Sequence, residues 1–411
     1  MPRLSRRALL LGAGLVAAAG GAKAQRRERW DAVVVGAGVF GAWTATHLRR
    51  RGYRTLLVDS WGPANARASS GDESRMTRGA YGRDEVYTRM AWDSLPEWRG
   101  LSARAGLPIF HETGVLFFFG SAEPYVEDSI AVHRRLGLPI ERLGRRELQR
   151  RFPAIDFDGV ELGLFEPGFG VLMARRAVQT LVAEFVRAGG SYRQAAVAPP
   201  RVREGSLEEI RTAAGDRIAA DRFVFAAGPW LPRLFPDLLG NRIFPTRQEV
   251  FYFSPPPGDG RFLPGALPGW ADFNAGDIYY GFPDLEARGF KIAHDAHGPA
   301  MDPDRGDRTP SAEALADVRR YMERRFPAMR GRPLSEARVC QYENSSNGDL
   351  LIDRHPSLAN VVLVGAGSGH GFKHGPAVGR YAAALVADDL AAPEPRFSLA
   401  SKGERQQRDV H

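Results

Sequence analysis

Cysteine is nearly absent from this chain of 411 residues: Cys340 is the only one. A lone thiol makes no disulfide within a chain, so the fold must be held by its core. No basic run is interleaved with aromatics, which argues against nucleic acid; Arg49-Arg50-Arg51 reads as a solvated helix face. No apolar run spans a bilayer comfortably, and no internal repeat, low-complexity tract or coiled coil is present. His294 and His297 resemble a metal pair, yet nothing else of ligand character clusters near them, so no metal is expected. With 44% hydrophobic and 25% charged residues, the composition is globular rather than disordered or fibrous. The length suits two domains or one large α/β unit.

Residues 1–24 read as an export leader. Arg6-Arg7 follow Ser5, an apolar stretch runs from 8 to 19, and Ala22-Lys23-Ala24 fits a small-x-small cleavage site. Adjacent arginines point to the twin-arginine route and so to a periplasmic or otherwise exported protein. An uncleaved membrane anchor is the alternative; no stable membrane insertion is expected. Arg3, Arg6, Arg7 and Lys23 in this leader carry half of the formal net charge of +8.

Glycine supplies the strongest pattern. Gly12-Ala13-Gly14 lies inside the leader's apolar run, has no strand before it, and is set aside. Gly36-Ala37-Gly38-Val39-Phe40-Gly41 follows an apolar strand at 32–35 and opens a helical pattern at 42–51. A second strand at 55–58 ends in Asp59. Strand, glycines, helix and terminal acid together make a dinucleotide-binding fingerprint. Gly36 permits the tight turn, Gly38 lets the backbone approach a pyrophosphate, and Gly41 lets helix and strand pack closely. The helix N-terminus favours the negative charge, and Asp59 can accept from a ribose. Two more strands end in glycine. The one at 222–226 runs into Ala227-Gly228-Pro229-Trp230, and the one at 361–364 into Gly365-Ala366-Gly367-Ser368-Gly369-His370-Gly371-Phe372-Lys373. Three such ends, far apart in sequence, suit a long extended cofactor, FAD rather than NAD.

Cys340 opens the run Cys340-Gln341-Tyr342-Glu343-Asn344-Ser345-Ser346, ahead of a strand at 350–353. A free cysteine is commonly a small inert core residue; the glycine-rich turn that follows makes chemical use the competing reading.

These motifs, in this order, resemble the monomeric sarcosine oxidase and N-methyltryptophan oxidase group of D-amino-acid-oxidase-like flavoproteins. The resemblance runs from about residue 30 to 398. It adds Gly71-Asp72-Glu73-Ser74-Arg75-Met76-Thr77-Arg78-Gly79-Ala80-Tyr81-Gly82, Tyr279-Tyr280-Gly281-Phe282-Pro283, Lys291 and Ile352-Asp353 to the segments above. It implies an α/β fold: a Rossmann-like FAD-binding domain (30–85, 160–240, 338–398) with a second, mixed-sheet α+β substrate domain (86–159, 241–337) and a tail at 399–411. It implies FAD attached covalently through Cys340, held as thiolate by a cationic pocket. Gly36, Gly38, Gly41, Asp59, Ser69, Arg75, Gly228, Trp230, Gly367, Gly369, Gly371 and Lys373 would join Cys340 in holding the cofactor. Arg78 and Lys373 match a carboxylate-binding pair, with Tyr280 adding a hydroxyl. Arg75, on a shared helical face with Arg78, would reach the flavin. Lys291 matches a lysine that promotes reaction with O2, and His370 shapes the flavin surroundings; Lys291, Arg75 and His370 form the expected catalytic set.

One position departs from the pattern. Four residues after Lys291, where relatives carry histidine, stands Asp295, with His294 beside it. A one-residue shift would bring His294 into the substrate-binding set, but a slip along a strand also exchanges faces, so either His294 or Asp295 faces the flavin. A carboxylate at 295 would repel a substrate carboxylate or pair with its amine.

The resulting expectation is a monomeric FAD-dependent oxidase of a secondary amine in an amino acid, sarcosine or a larger N-methyl amino acid. The product would be an imine, with O2 reduced to hydrogen peroxide. An FAD-dependent dehydrogenase using a quinone or carrier, and a non-catalytic flavin-binding protein, are the alternatives. No dedicated general base is evident. Trp270, Phe273 and Tyr252 are candidate pocket aromatics, Phe117-Phe118-Phe119 reads as core sheet, and the turn Glu166-Pro167-Gly168-Phe169-Gly170 is a candidate gate.

Overall fold

The computed structural model describes residues 29–273, 278–296, 298–390 and 392–406. The leader, His297 and the end of the tail lie outside them.

Near-continuous apolar runs without alternation belong in strands covered on both faces. Residues 32–34 are wholly buried in strand Arg29–Val35, which lies at the middle of a seven-stranded sheet. The spatial order is Leu351–Arg354, Val361–Gly365, Arg217–Phe225, Arg29–Val35, Thr55–Asp59, Ser191–Gln194, with Glu209–Arg211 added beside Arg217–Phe225. The four pairings from Val361–Gly365 across to Ser191–Gln194 are parallel. Helix Val39–Arg50 forms the first crossover and packs against Gly375–Val386. The three glycine-bearing ends foreseen at Gly36, Ala227-Gly228 and Gly365 therefore lie side by side, because their strands are neighbours in one sheet.

The second unit is an eight-stranded mixed sheet, ordered Leu334–Ser345, Ile243–Phe253, Phe290–Asp295, Ile278–Phe282, Gly269–Asp272, Val115–Phe119, Leu162–Glu166, Glu141–Gly144. Only the pairing of Gly269–Asp272 with Val115–Phe119 is parallel. Phe117, Phe118 and Phe119 are at most 1% exposed, as core sheet residues should be. Each such ring or aliphatic side chain contributes roughly 1.5–3 kcal/mol through burial. Helix Ala312–Arg325, capped by Ser311 accepting from Ala314 N, covers one face through Val318, Tyr321 and Met322.

The divisions expected at 160 and 338 fall elsewhere in the ladder. Leu162–Glu166 and all of Leu334–Ser345 belong to the eight-stranded sheet, so the strand carrying Cys340 reaches the cofactor side from the substrate sheet. Between the two sheets lies a small third one, Ser74–Thr77 with Gly170–Met173 and Phe110–His111. No described helix is long and apolar enough to cross a membrane.

Candidate active site

The first strand ends at Gly36 with φ +106°, where a side chain's Cβ would lie 2.3 Å from the Ala226 carbonyl oxygen. At Gly41 the same atom would lie 1.8 Å from the Gly36 oxygen. Both positions require glycine, one for conformation and one for contact. Gly38 has ordinary room and offers no side-chain cap of its own to helix Val39–Arg50, where Ser70 Oγ accepts from Val39 N at 3.1 Å; the helix N-terminus still favours an anion. Asp59 does more than the fingerprint required. Its carboxylate accepts from Ala37 N (2.8 Å), Trp61 N (2.9 Å) and Gly62 N (2.8 Å), tying both strand ends together. Burial raises its pKa, and those three N–H groups oppose the rise.

Gly36, Gly38, Asp59 and Ser69 line one cleft with Gly228, Trp230, Gly367, Gly369 and Gly371. Gly41 sits behind the wall and shapes it. Trp230 packs at a tilt against Trp61 with ring centroids 4.9 Å apart and donates to Asp304 at 2.7 Å. Two polar atoms on this wall, Ser69 Oγ and Glu343 Oε2, are buried without a hydrogen-bond partner among the described residues. Orphaned polar groups beside a glycine cradle fit a long, polar, phosphate-bearing ligand. Burial pushes the Glu343 carboxyl up to about 7.

Inward, the cleft meets a second cavity; Arg75, Tyr342, Ser368, Gly369 and Phe372 border both. Arg75, which borders both, is backed by Asp72, 1% exposed. Its carboxylate accepts from Lys291 Nζ at 2.5 Å and Tyr252 Oη at 3.1 Å, and pairs with Arg75. Burial opposes the charge on Asp72, but Lys291 and Arg75 together hold its carboxyl below the ordinary range. Lys291 also donates to the Ser74 carbonyl at 2.9 Å. Burial pulls the Lys291 pKa down while Asp72 opposes.

Arg75 comes from strand Ser74–Thr77, hydrogen-bonded to Gly170–Met173, not from the helical turn expected. It still reaches the same cavity as Arg78 because Arg78 lies just past the strand's end, free of the strand's alternation. Cys340 is 6% exposed, with Arg75 Nη2 3.9 Å from its sulfur. The thiolate expected here is not favoured: burial and then Asp72 push the thiol pKa up, and Arg75 and Lys291 oppose without reversing it.

The inner cavity gathers Arg78, Lys373, Tyr280 and His370. Arg78 is 7% and Lys373 4% exposed, so both are cations removed from water. The Arg78 guanidinium lies 3.9 Å from the Tyr81 ring centroid. Lys373 Nζ donates to the His370 carbonyl at 2.8 Å and to Tyr81 Oη at 3.1 Å. The His370 ring is fixed between Tyr81 Oη and the Gly348 carbonyl.

His294 is the residue the structure moves. It alternates to the other face of Phe290–Asp295, stacks on Tyr279 at 4.4 Å and pairs with Asp317 at 3.1 Å. Asp295, in phase with Lys291 on the strand, lines the cavity instead and accepts from Tyr342 Oη at 2.8 Å. Of the candidate aromatics, Phe273 lines the cavity, Trp270 is core and Tyr252 serves Asp72. At the Glu166 turn the buried carboxylate accepts from Gly79 N at 2.8 Å and pairs with His133 at 3.0 Å, anchoring the segment after Arg78.

Asp72, Tyr342 and Glu343 were the residues missed. Asp72 and Tyr342 stood inside quoted motifs, and strand alternation from Cys340 would have brought Tyr342 into the cavity. Glu343 stands in the same run, on the opposite face of the strand, and its polar neighbours in sequence give no sign that it is buried.

A long glycine-walled cleft opening into a cation-lined reaction pocket is the construction of a flavin-dependent oxidoreductase. The model of the FAD dependent oxidoreductase family matches residues 31–385, and the chain belongs to that family. Monomeric sarcosine oxidase from Bacillus is 30% identical over 366 residues, spanning 87% of this chain and 92% of that one. N-methyl-L-tryptophan oxidase from Salmonella arizonae is 28% identical, spanning 90% and 97%. L-proline dehydrogenase from P. horikoshii has the same fold, with a TM-score of 0.79 at 20% identity over 91% of this chain and 97% of that one.

Proposed function

We propose that this FAD-dependent oxidoreductase oxidises the secondary amine of an N-methyl or related amino acid. One observation carries the reading: Arg78 and Lys373, buried cations from opposite ends of the chain, border a single cavity that continues into the cofactor cleft. Two such charges favour a carboxylate, and low surrounding polarity strengthens their hold. They orient the substrate with its carbon–nitrogen bond toward the junction at Arg75 and Tyr342. FAD, when bound, supplies the two-electron acceptor. Arg78 and Lys373 also disfavour a third positive charge, which promotes loss of the substrate's ammonium proton. The cofactor's covalent link to Cys340, discharge of electrons to O2 as hydrogen peroxide, a monomeric state and export through the twin-arginine leader belong to the same proposal. Cell fractionation tests the last of these.

Anaerobic mixing with a panel of N-methyl and cyclic amino acids is the direct test. Bleaching of the flavin band by at least one secondary amino acid is expected, and no bleaching by any member overturns the reading.

A specific contact favours a second acceptor. The Lys291 ammonium is committed to Asp72 at 2.5 Å, which lessens the charge it can offer a reduced oxygen species. A quinone or carrier would then replace O2. Stopped-flow reoxidation separates the two: Lys291→Met slows reaction with O2 under the oxidase reading and leaves it unchanged under the dehydrogenase reading.

A further inference from the structure

We propose that Asp295 receives the substrate's ammonium group and accepts its proton, so that the pocket selects a zwitterion and not simply a carboxylate. The inference rests on the amino-acid reading above. Among the described residues lining the inner cavity, Asp295 is the sole acid, beside the cations Arg75, Arg78 and Lys373. Arg75 is turned to Asp72, a carboxylate it shares with Lys291. That leaves two cations and one anion facing the substrate volume, the inverse of an amino-acid zwitterion. An acid placed in a carboxylate pocket repels its ligand unless the ligand brings a positive group of its own.

Position and support agree with this role. Asp295 ends strand Phe290–Asp295, paired with Ile278, and is half-buried. Tyr342 Oη donates to Oδ1 at 2.8 Å and fixes the carboxylate's direction. A carboxylate has about four acceptor sites, so one such bond leaves capacity for an ammonium. The groups around it in the cavity are Tyr342 from the Cys340 strand, Tyr280 from the neighbouring strand, and Arg78, Lys373 and Arg75; His294, one residue back on the other face of its own strand, acts on it only through charge. Burial raises its basicity, while the Tyr342 bond, Arg78 and Lys373 limit the rise. In the step itself an N–H bond of the ammonium breaks and an O–H bond forms on Asp295. The electron pair stays on nitrogen, as the lone pair that C–H oxidation requires. The proton leaves to solvent after product release.

The competing role is internal: Asp295 as a counter-ion that steadies Arg78 and Lys373. Three probes on the flavin-loaded protein distinguish them by calorimetry: acetate, pivalate and α-aminoisobutyrate. The last two share shape and differ in CH3 against NH3+, and neither has an oxidisable hydrogen beside nitrogen. Binding of α-aminoisobutyrate at least about tenfold tighter than pivalate is expected, the size of one charge-assisted hydrogen bond. Asp295→Asn should abolish or invert that preference without weakening pivalate; Asp295→Ser does the same with a smaller side chain should the amide not fold. Equal affinities in the wild type, a preference for pivalate, failure of α-aminoisobutyrate where acetate binds, or a preference unchanged in both variants would each overturn the inference. Failure of all three carboxylates would instead remove the amino-acid reading. Proton acceptance has its own readout. With an N-methyl amino acid, kcat/KM of Asp295→Asn should climb about tenfold per pH unit up to the substrate's own amine pKa. A profile identical to wild type would sink that part.

Discussion

Lys291 and Asp72, 219 positions apart, meet with Nζ 2.5 Å from Oδ2 and side chains at most 1% exposed. The pair ties the segment leading into strand Ser74–Thr77 of the small third sheet to strand Phe290–Asp295 of the eight-stranded one. Its aspartate also pairs with Arg75, so a single carboxylate positions both cations assigned to flavin chemistry. A buried pair is costly to form and costlier to break on one side.

Removing only the acid should therefore be severe. Asp72→Asn leaves Lys291 and Arg75 without their counter-charge and should lower stability by about 3–5 kcal/mol in urea unfolding. Adding Lys291→Met should restore part of that loss, since the double variant no longer buries an uncompensated ammonium. Additive losses in the double-mutant cycle would show that the two residues do not act as a pair.

The carboxylate clamp predicts a kinetic signature. Arg78→Lys keeps the charge but not the planar fork, and Lys373→Met removes a point charge. Each should reduce kcat/KM for the best amino-acid substrate by roughly tenfold to a hundredfold, the range of a charge-assisted bond. A neutral amine without a carboxylate should show little change. Equal losses for both substrates would assign Arg78 and Lys373 to folding rather than recognition.

Much of this was legible in residue order. The fingerprint from Gly36 to Asp59 and the glycine-bearing strand ends located the cofactor cleft, because glycine there answers a backbone requirement that sequence records directly. Pairing across distance was less visible. Asp72 finds Lys291 only when two sheets meet, and nothing local marks which buried acid serves which base. His294 failed for a simpler reason. Strand alternation places 291, 293 and 295 on one face, so the aspartate that stands where relatives carry histidine, and not His294 beside it, lines the cavity.

His47 offers a test of pH dependence away from the chemistry. It lies in helix Val39–Arg50, stacked on Trp43 at 5.7 Å, 8% exposed, its Nε2 buried without a partner among the described residues. Burial pulls its pKa from 6.5 down to about 4, with Arg50 and Arg380 adding to the fall and Glu97 opposing. The folded state thus resists protonation that the unfolded chain accepts. Stability is intact above about 6.5 and declines as pH falls toward about 4, by roughly 3 kcal/mol in all. His47→Gln should flatten that part of the profile. Urea midpoints at pH 7 and pH 4.5 read it: an equal acid loss in variant and wild type would remove His47 as the cause.

Cys340 carries the most exposed prediction. Its sulfur lies 3.9 Å from Arg75 Nη2 on a strand that enters the cofactor side from the substrate sheet. Burial holds the thiol neutral in the protein without cofactor, so attachment requires a base or the cations Arg75 and Lys291 to stabilise the thiolate at the moment of bond formation. If Cys340 anchors FAD, acid precipitation should leave the yellow colour with the protein, and Cys340→Ala should release it. Arg75→Ala should slow attachment without preventing cofactor binding, which a time course of protein-bound colour during reconstitution measures. Release of all FAD from the wild type on denaturation would leave Cys340 as a buried core thiol, with the cleft and the Arg78–Lys373 clamp unaffected.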